Sequence, residues 1–481
     1  MNEIPRFAVV GHPNKGKSSI VATLAQNDGI AIALEPGTTR NSHHYPLRVD
    51  GHLLYELIDT PGFQRPRRVL AWLEQHSASA SDRADTVRAF VTQHRDDPRF
   101  HDECELLTPI LEGAGIIYVV DGSVPYSREH EAEMNILRWT GRPSLALINR
   151  IGDQDHGQLW QAALGQYFQI VRHFDAVHAP FETHLGLLRS FGQLAPAWEH
   201  PLEEAIRHLS EQRQRRQRQA LVLIANALAA MLTHTESTTL HAGGNRGETE
   251  QLLRRRWQRW QRHREHTLRQ DIEQLYQHHH LQRQERELAW EPGADLFSET
   301  TRRAWGVSRT YLATAGFGAG ALGGAGVDAL TLGHSLGTGA LIGGLLGAAG
   351  SVYYAGKLDR LKLGPLSSGG QRAQFGPVRD PQFGYVVLGR ALLHWYRISH
   401  RNHAGRDPLT LDDADGHWLE QLSRNQRQTL QKALQNPPRN DSDHKRRHAL
   451  EHATAQAGTA FLAWQTPTSG SDTSVDNPTF P

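Results

Sequence analysis

The chain has 481 residues, of which 38% are hydrophobic and 21% charged, a composition typical of soluble globular proteins. A mean hydropathy of −0.55 argues against a polytopic membrane protein, and the length predicts about two to four domains. The 52 basic and 51 acidic side chains nearly cancel, so no global field favours nucleic acid or anionic lipid. Cys104 is the single cysteine, so no internal disulfide forms, and the first residues lack a signal-peptide pattern. We therefore expect a cytoplasmic protein.

Residues 1–195 alternate short apolar runs with helical stretches, which predicts a mostly parallel β-sheet covered by helices on both faces. The predicted strands are Phe7–Val10, Leu53–Ile58, Ile116–Val120, Leu145–Ile148 and Gln169–Phe174. A polar insert at about Gln64–Leu107 separates the second strand from the third. We expect this insert to form an additional helical or mobile element.

The remaining sequence predicts helices and no strands. Residues 196–310 are rich in Gln, Arg, Glu, His and Leu and carry a stripe at helical spacing, which predicts a coiled-coil-like region. Residues 311–355 are crowded with Gly and Ala, and residues 356–465 predict a further helical domain. Residues 466–481 are too poor in apolar groups to fold and predict a disordered tail. The fold class is thus an α/β domain followed by an all-α C-terminal half.

The segment Gly11–Ser18 reads GHPNKGKS and matches the phosphate-loop pattern G-x-x-x-x-G-K-[ST]. It lies between the first predicted strand and a helix that begins near Lys17. Glycines at this spacing let backbone N–H groups surround a phosphate, and the helix N-terminus adds positive potential. Lys17 is expected to reach the β- and γ-phosphates, and Ser18 to supply a hydroxyl to Mg²⁺. The residues assigned to nucleotide binding in this segment are Gly11, Asn14, Lys15, Gly16, Lys17, Ser18 and Ser19.

A second motif, Asp59-Thr60-Pro61-Gly62, ends the predicted strand Leu53–Ile58. Asp59 is expected to hold Mg²⁺ through water, and the Gly62 N–H is expected to sense the γ-phosphate. An Asp-Thr-Pro-Gly sequence alone is an ordinary turn. Behind a phosphate loop, the same sequence favours a magnesium and nucleotide site.

Three motifs together carry a resemblance: Gly-x-Pro-Asn-x-Gly-Lys-Ser, Gly-Thr-Thr-Arg at 37–40 and Asp-Thr-Pro-Gly. In combination they are similar to the TrmE-Era-EngA-YihA-Septin group of P-loop GTPases over about the first 190 residues. The resemblance implies a GTP-hydrolysing enzyme in which Thr39 completes the Mg²⁺ shell. Lys17, Thr39 and Gly62 are then the catalytic residues, and Ser18, Thr39 and Asp59 the metal-binding ones.

The base-recognition motif departs from the N-K-x-D pattern of that group. The chain offers Asn149-Arg150-Ile151-Gly152-Asp153, in which Arg replaces Lys and the carboxylate comes one position late. We expect Asn149 and Asp153 to contact the base and GTP to be favoured over ATP, with relaxed guanine specificity as the alternative. For the fifth motif, Asp175-Ala176 and His178-Ala179 are competing candidates.

Phe63 stands where Ras-like enzymes carry the Gln that orients the attacking water, so slow turnover is predicted. Related GTPases with a hydrophobic residue at this place often use K⁺ held in part by the phosphate-loop Asn. That likeness implies K⁺ stimulation through Asn14.

The glycine-rich segment 311–355 contains small-x-x-x-small spacing, a glycine-zipper pattern that lets helices approach closely. It predicts a hydrophobic helical hairpin that either inserts into or docks on the inner membrane, or is buried in a soluble domain. The whole chain resembles a bacterial family of Era-like GTPases with a C-terminal domain of unknown function.

The leading hypothesis is a slow GTP/GDP switch that couples nucleotide state to the helical half. The alternatives are an Era-like RNA or ribosome assembly GTPase and a self-assembling GTPase that remodels membranes; homodimerisation is also open. The sequence contains two basic clusters, one with Arg213, Arg215, Arg216 and Arg218 and the other at Arg254–Arg256. They indicate either contact with RNA or lipid or a solvated helix face. A histidine run at His278–His280 favours a solvent-facing stretch over a metal site.

Overall fold

The computed structural model describes residues 4–13, 15–26, 41–152, 154–241, 244–278, 362–365, 371–378, 381–404 and 416–465. Several predicted features lie outside these ranges: Asn14, Thr39, Asp153, the glycine-rich segment 311–355 and the tail 466–481. The described residues form two compact units. The first contains the described residues up to Arg216 together with 273–278 and 398–404, and the second contains the remaining described residues.

Six strands of the first unit form one sheet in the order β2-β3-β1-β4-β5-β6. They are β1 (Arg6–Val10), β2 (His43–Val49), β3 (His52–Asp59), β4 (Gly115–Asp121), β5 (Ser144–Asn149) and β6 (Val171–His173). All neighbouring pairs are parallel except β2 and β3. The mostly parallel sheet predicted from the sequence is confirmed, and each predicted strand overlaps an observed one.

The edge strand β2 is absent from the predicted strands. Its buried residues are only Leu47 and Val49, and Pro46 and two histidines interrupt the apolar pattern. An edge strand tolerates proline because one side of its backbone needs no partner. Its pairing with β3 therefore depends on the neighbouring strand more than on its own composition.

Helices cover both faces of the sheet, as expected for a parallel sheet whose strands are apolar on both sides. One face packs against α1 (Lys17–Leu24), α7 (Phe181–Leu194) and the first part of α8 (Pro196–Thr233). The other packs against α2 (Pro66–His76), α3 (Arg83–His94), α4 (His101–Leu111), α5 (Arg128–Trp139) and α6 (Gly157–Leu164).

The predicted insert is helical. Its helices α2, α3 and α4 bury an apolar set against the sheet and α5, consisting of Val69, Leu73, Val87, Phe90, Leu106 and Leu107. Most polar residues of this stretch are partly or fully exposed, but Thr86 and Glu103 are buried. The insert is therefore a folded layer of the first unit, and α4 leads directly into β4.

The second unit is predominantly helical, as predicted, but it also contains a small sheet. The helices are the rest of α8, α9 (Arg246–Leu275), α10 (Pro381–Ser399), α11 (Arg424–Gln435), α12 (His444–Gln465) and a 3₁₀ turn at Gly416–Gln421. Strands β7 (Glu236–Leu240), β8 (Lys362–Pro365) and β9 (Gln371–Phe375) form an antiparallel sheet in the order β7-β9-β8.

The prediction of an all-α C-terminal half is therefore wrong in this detail. Glu236 of β7 pairs with Phe375 of β9, so the partners are far apart in the chain and local periodicity does not reveal them. The Trp257 ring lies 5.8 Å from the Phe375 ring and 5.7 Å from the Phe383 ring, which packs the sheet against α9 and α10. Within the described ranges, no helix is both long enough and apolar enough to span a bilayer.

Candidate nucleotide site

The strand register brings four loops to one edge of the sheet. Val9 of β1 pairs with Asp59 of β3, and Asp121 of β4 pairs with Asn149 of β5. Because β1 also pairs in parallel with β4, the carboxyl ends of these strands lie side by side. In open α/β sheets, ligands bind at this edge.

Glycine is required at two positions of the phosphate loop. Gly16 begins α1 at φ +81°, and a Cβ there would lie 2.2 Å from Asn149 Nδ2. Gly11 has φ +145°, and its Cβ would lie 2.3 Å from the Val119 carbonyl oxygen. Any larger residue would push the loop away from the sheet, so both glycines keep its backbone N–H groups close to the position of a phosphate.

Lys17 is buried at the centre of this loop. Its Nζ donates hydrogen bonds to the carbonyl oxygens of Gly11 (3.3 Å) and His12 (3.2 Å). Burial lowers the pKa of Lys17, and the carboxylates of Asp59 and Glu133 oppose this shift. A desolvated ammonium held within the phosphate loop is suited to bind a polyphosphate.

The two predicted magnesium ligands within the described ranges lie in contact. Ser18 Oγ donates a 2.9 Å hydrogen bond to Asp59 Oδ2, and the Asp59 side chain is buried. Thr60, the next residue, donates from Oγ1 to the Val9 carbonyl oxygen at 2.8 Å and ties the motif to β1. Hydroxyl and carboxylate oxygens are the ligands Mg²⁺ prefers, so the donor set fits this ion.

Gly62 packs against the phosphate loop, since a Cβ there would lie 2.6 Å from Pro13 N. Ser19 lies half-buried in the first turn of α1. Lys15 extends to Asp121, with 3.8 Å between Nζ and Oδ2. Asn14 and Thr39 lie outside the described residues, and their roles in nucleotide and Mg²⁺ binding remain predictions.

Asn149 bridges the phosphate loop and the loop after β6. Its Nδ2 donates to the Lys15 carbonyl oxygen at 3.3 Å, and its Oδ1 accepts from the Ala176 N–H at 3.4 Å. Thr23 Oγ1 donates to the Ala176 carbonyl oxygen at 2.6 Å. These contacts bring Asp175-Ala176 into the site, in preference to His178-Ala179. Asp153, the proposed base carboxylate, lies outside the described residues.

A hydrogen-bonded cluster of polar side chains lies beside the phosphate loop, and the sequence does not indicate it. His12 Nδ1 donates to Glu133 Oε1 at 2.8 Å, and the Tyr118 hydroxyl donates to Glu133 Oε2 at 2.9 Å. Glu133 is fully buried on α5, although the stretch Arg128–Asn135 reads as a charged, solvent-facing helix. Only the tertiary packing of α5 against the loop reveals this carboxylate.

The first basic cluster forms contacts within its own unit. Arg213 lies over the Phe181 ring at 4.6 Å, Arg215 forms an ion pair with Asp50, and Arg216 donates to Gln26 at 3.3 Å. Burial lowers the pKa of both Arg213 and Arg216. Arg213 and Arg216 therefore do not lie on a fully solvated face, whereas Arg215 is partly exposed and pairs with Asp50 at the surface.

Two further sequence interpretations change. Arg254 of the second basic cluster pairs with Glu250 and lies over the Phe375 ring at 5.7 Å. His278 is buried and stacks on His403 with ring centroids 4.4 Å apart, so the prediction of a solvent-facing run is wrong at this position. Both side chains pack in ways that their sequence neighbours do not indicate.

The strand order, the glycine-bound loop and the Ser18–Asp59 contact define a P-loop nucleotide-binding domain of the GTPase type. Residues 6–150 match the family model described as "50S ribosome-binding GTPase". Residues 161–463 match the model described as "Domain of unknown function (DUF3482)", and the chain belongs to this family.

Curated relatives resemble the N-terminal part of the chain. The GTPase Der of Mycoplasma pneumoniae is 30% identical over 145 residues, which cover 30% of this chain and 26% of that protein. The GTPase Der of Acidithiobacillus ferrooxidans is 31% identical over 202 residues, 37% of this chain and 43% of that protein. The chain thus spans less than half the length of these relatives. A solved structure of Aquifex aeolicus Era bound to GDP.AlF4- is 15% identical, with a TM-score of 0.26, over 50% of this chain and 75% of that one.

Proposed function

We propose that the N-terminal domain binds GTP with Mg²⁺ and hydrolyses it slowly to GDP and phosphate. The observation that carries this proposal is the contact between Ser18 and Asp59 beside the buried ammonium of Lys17. Mg²⁺, when bound, would neutralise phosphate charge. Ser18 and Asp59 would hold it with Thr39, and Lys17 would bind the β- and γ-phosphate oxygens.

The residues after Gly62 support slow turnover. Phe63 is fully buried in the core between the sheet and helices α2 to α6, so its side chain does not reach a nucleophilic water. Positioning of the reacting groups therefore depends on the backbone N–H of Gly62 and on Thr39. Electrostatic stabilisation by Lys17 supplies the main acceleration.

Phosphate release from GTP tests the proposal directly. Purified protein with Mg²⁺ should release phosphate from GTP, and the reaction should stop with a chelator or in Lys17→Ala. Arg218→Ala is a matched control, because Arg218 is an exposed cation outside the site. Absence of GTP binding by the intact protein would refute the proposed function.

Base choice rests on Asn149 and Asp153. Asn149 is placed beside the phosphate loop, and Asp153 follows it within four residues. We expect fluorescent GTP to bind more tightly than the ATP analogue, and Asp153→Ala to remove the difference. Equal affinities in the wild type would instead indicate relaxed specificity.

K⁺ stimulation is proposed through Asn14. The buried Phe63 side chain cannot orient the attacking water, and a monovalent cation would add positive charge near the phosphates. Turnover should be faster in KCl than in NaCl, and Asn14→Ala should remove the difference. A wild type equally active in both salts would contradict this part of the proposal.

The coupling of nucleotide state to the C-terminal half is proposed through α8. Arg215 contacts Asp50 at the β2–β3 turn, and Arg216 contacts Gln26 just after α1. Asp59 is the last residue of β3, and Lys17 and Ser18 are the first residues of α1. A shift of β3 or α1 on nucleotide exchange would therefore act on α8, along which the chain continues towards the C-terminal half.

Hydrogen exchange tests this coupling. We expect exchange in residues 381–465 to differ between GDP and a non-hydrolysable GTP analogue, and Arg215→Ala to reduce the difference. Arg218→Ala should leave it intact. Identical exchange in both nucleotide states would refute the coupling.

The family model that matches residues 6–150 is described as a "50S ribosome-binding GTPase", which favours ribosome binding as a second candidate function. Under this alternative, the protein should co-sediment with the 50S subunit in one nucleotide state. The internal contacts of Arg213, Arg215 and Arg216 leave other surfaces to bind RNA. Sedimentation with and without the GTP analogue distinguishes this function from the switch alone.

Membrane association and self-assembly are proposed from segment 311–355, which has a nearly charge-free, glycine-rich sequence. Liposome flotation in each nucleotide state tests membrane binding, and deletion of 311–355 should abolish it. A turnover rate that rises with protein concentration would support homodimerisation or larger assembly. A cytoplasmic location follows if the protein never floats.

A further inference from the structure

Helix α4 holds the chain on both sides of the β2–β3 pair through two glutamates. Glu103 is fully buried, and its Oε1 accepts hydrogen bonds from the backbone N–H groups of Gln64 (3.0 Å) and Arg65 (2.6 Å). Two residues further along α4, Glu105 contacts Ser42, which precedes β2.

The Glu103 contact fixes the segment that follows Gly62. Burial raises the pKa of Glu103, while the hydrogen bonds from the Arg65 and Gln64 backbone oppose that rise. A buried carboxyl group that accepts two backbone N–H groups holds their position firmly, because a hydrogen bond is stronger where the local dielectric is low. Gln64 and Arg65 therefore cannot move without breaking these bonds.

Gly62 is consequently confined from two directions. On one side it touches Pro13 of the phosphate loop, where a Cβ would lie 2.6 Å from Pro13 N. On the other side, Phe63 is locked into the core and Gln64 is held by Glu103. Since the Phe63 side chain is buried in the core, the contribution that we assign to this segment is the backbone position of Gly62.

The Glu105 contact holds the chain where it enters β2. Glu105 Oε2 accepts from the Ser42 N–H at 3.2 Å, and the Glu105 carbonyl oxygen accepts from Ser42 Oγ at 2.9 Å. Ser42 is three residues from Thr39 in the sequence. The same helix thus contacts the segments next to Gly62 and next to Thr39.

We propose that α4 is a common anchor for these two segments and that Glu103 and Glu105 are positioning residues for γ-phosphate-dependent hydrolysis. The inference deepens the proposed function and rests on it. Neither glutamate touches the phosphate loop in the described contacts, so both act through the backbone of their partners. Binding of GDP, which depends on the phosphate loop, should be independent of them.

The experiment compares Glu103→Ala, Glu103→Gln and Glu105→Ala with Asp102→Asn as the control. Asp102 lies on the same helix, and Asp102→Asn removes one carboxylate charge, as Glu103→Ala does. Asp102 makes no described hydrogen bond to the two segments. For each variant, kcat and KM for GTP are measured together with Kd for GDP and for a GTP analogue. Backbone hydrogen exchange at residues 64 and 65 reports the Glu103 contact directly.

Glu103→Ala should lower kcat by about tenfold or more, because small displacements of positioned groups slow reactions strongly. Its affinity for GDP should stay within about twofold, while its preference for the GTP analogue falls. Glu103→Gln keeps one acceptor oxygen and should restore most of kcat. Glu105→Ala, at a half-exposed position, should lower kcat by about threefold with GDP affinity unchanged.

Three results would overturn the proposal. One is an unchanged kcat in both alanine variants, and another is a parallel loss of kcat and GDP affinity in a variant that remains folded, which indicates that the glutamate also supports the phosphate loop. The third is unaltered exchange at residues 64 and 65 in Glu103→Ala. If Glu103→Ala does not fold, Glu105→Ala and Glu103→Gln still decide the question. A wild type that does not bind GTP refutes the proposed function instead, so the two failures are distinguishable.

Discussion

Asn149 is predicted to contribute to stability as well as to binding. In Asn149→Ala, the Lys15 carbonyl oxygen loses its donor and the Ala176 N–H loses its acceptor. Asn149 is buried, so water does not readily replace either partner. The phosphate loop and the loop after β6 would then lose the bridge through Asn149, while the Thr23–Ala176 hydrogen bond from α1 remains.

The magnitude follows from these two bonds. Each contributes about 1 kcal/mol net, and a buried N–H left without an acceptor costs about 1–3 kcal/mol. We therefore expect the free energy of unfolding to fall by roughly 2–4 kcal/mol. For a domain of this size, that lowers Tm by roughly 5–15 °C. Affinity for GDP should fall by about tenfold or more, since 1.4 kcal/mol corresponds to a factor of ten.

Calorimetry with and without GDP measures both effects. The transition that rises with GDP identifies the nucleotide-binding domain, because a ligand stabilises the state that binds it. Asn135→Ala is the matched control: Asn135 Nδ2 donates to the Glu131 carbonyl oxygen of its own helix and, at 3.5 Å, to the Tyr167 hydroxyl, away from the nucleotide site. We expect a change within about 0.5 kcal/mol. A Tm shift below about 2 °C in Asn149→Ala would refute the bridging role.

Three further predictions concern single groups. Lys17→Met should abolish nucleotide binding. The unliganded variant should be at least as stable in urea as the wild type, because burial disfavours the charged ammonium and lowers its pKa. A less stable variant contradicts this reasoning. Gly62→Ala places a Cβ 2.6 Å from Pro13 N, so the rate of phosphate release should fall by about tenfold. An unchanged rate would show that the phosphate loop shifts to accommodate the Cβ without loss of activity. Burial lowers the pKa of His184 to about 4, below its usual 6.5, so the unfolded chain binds more protons between these values. Stability should therefore fall by up to roughly 3 kcal/mol as pH drops through this range, and His184→Gln should flatten unfolding curves measured across it.

The phosphate loop, the Asp59–Gly62 motif and the alternation of strands and helices were all accessible from the sequence. Each depends on residues adjacent in the chain, where glycine spacing and apolar runs report local backbone conformation directly. The same reasoning missed β2 and the second sheet. In both cases the stabilising partner is another strand, and the partner of β7 lies more than a hundred residues away.

The candidate site likewise combines features that the sequence predicts with features that only the tertiary structure reveals. Sequence alone determined the candidate phosphate-binding groups, because Lys17, Ser18 and the glycines lie in one loop with a defined spacing. Only the tertiary structure decided what surrounds that loop: the Asn149 bridge, the buried Glu133 and the Glu103 anchor come from distant parts of the chain. Buried polar groups need partners wherever the fold supplies them, and local sequence does not encode which helix or strand will do so.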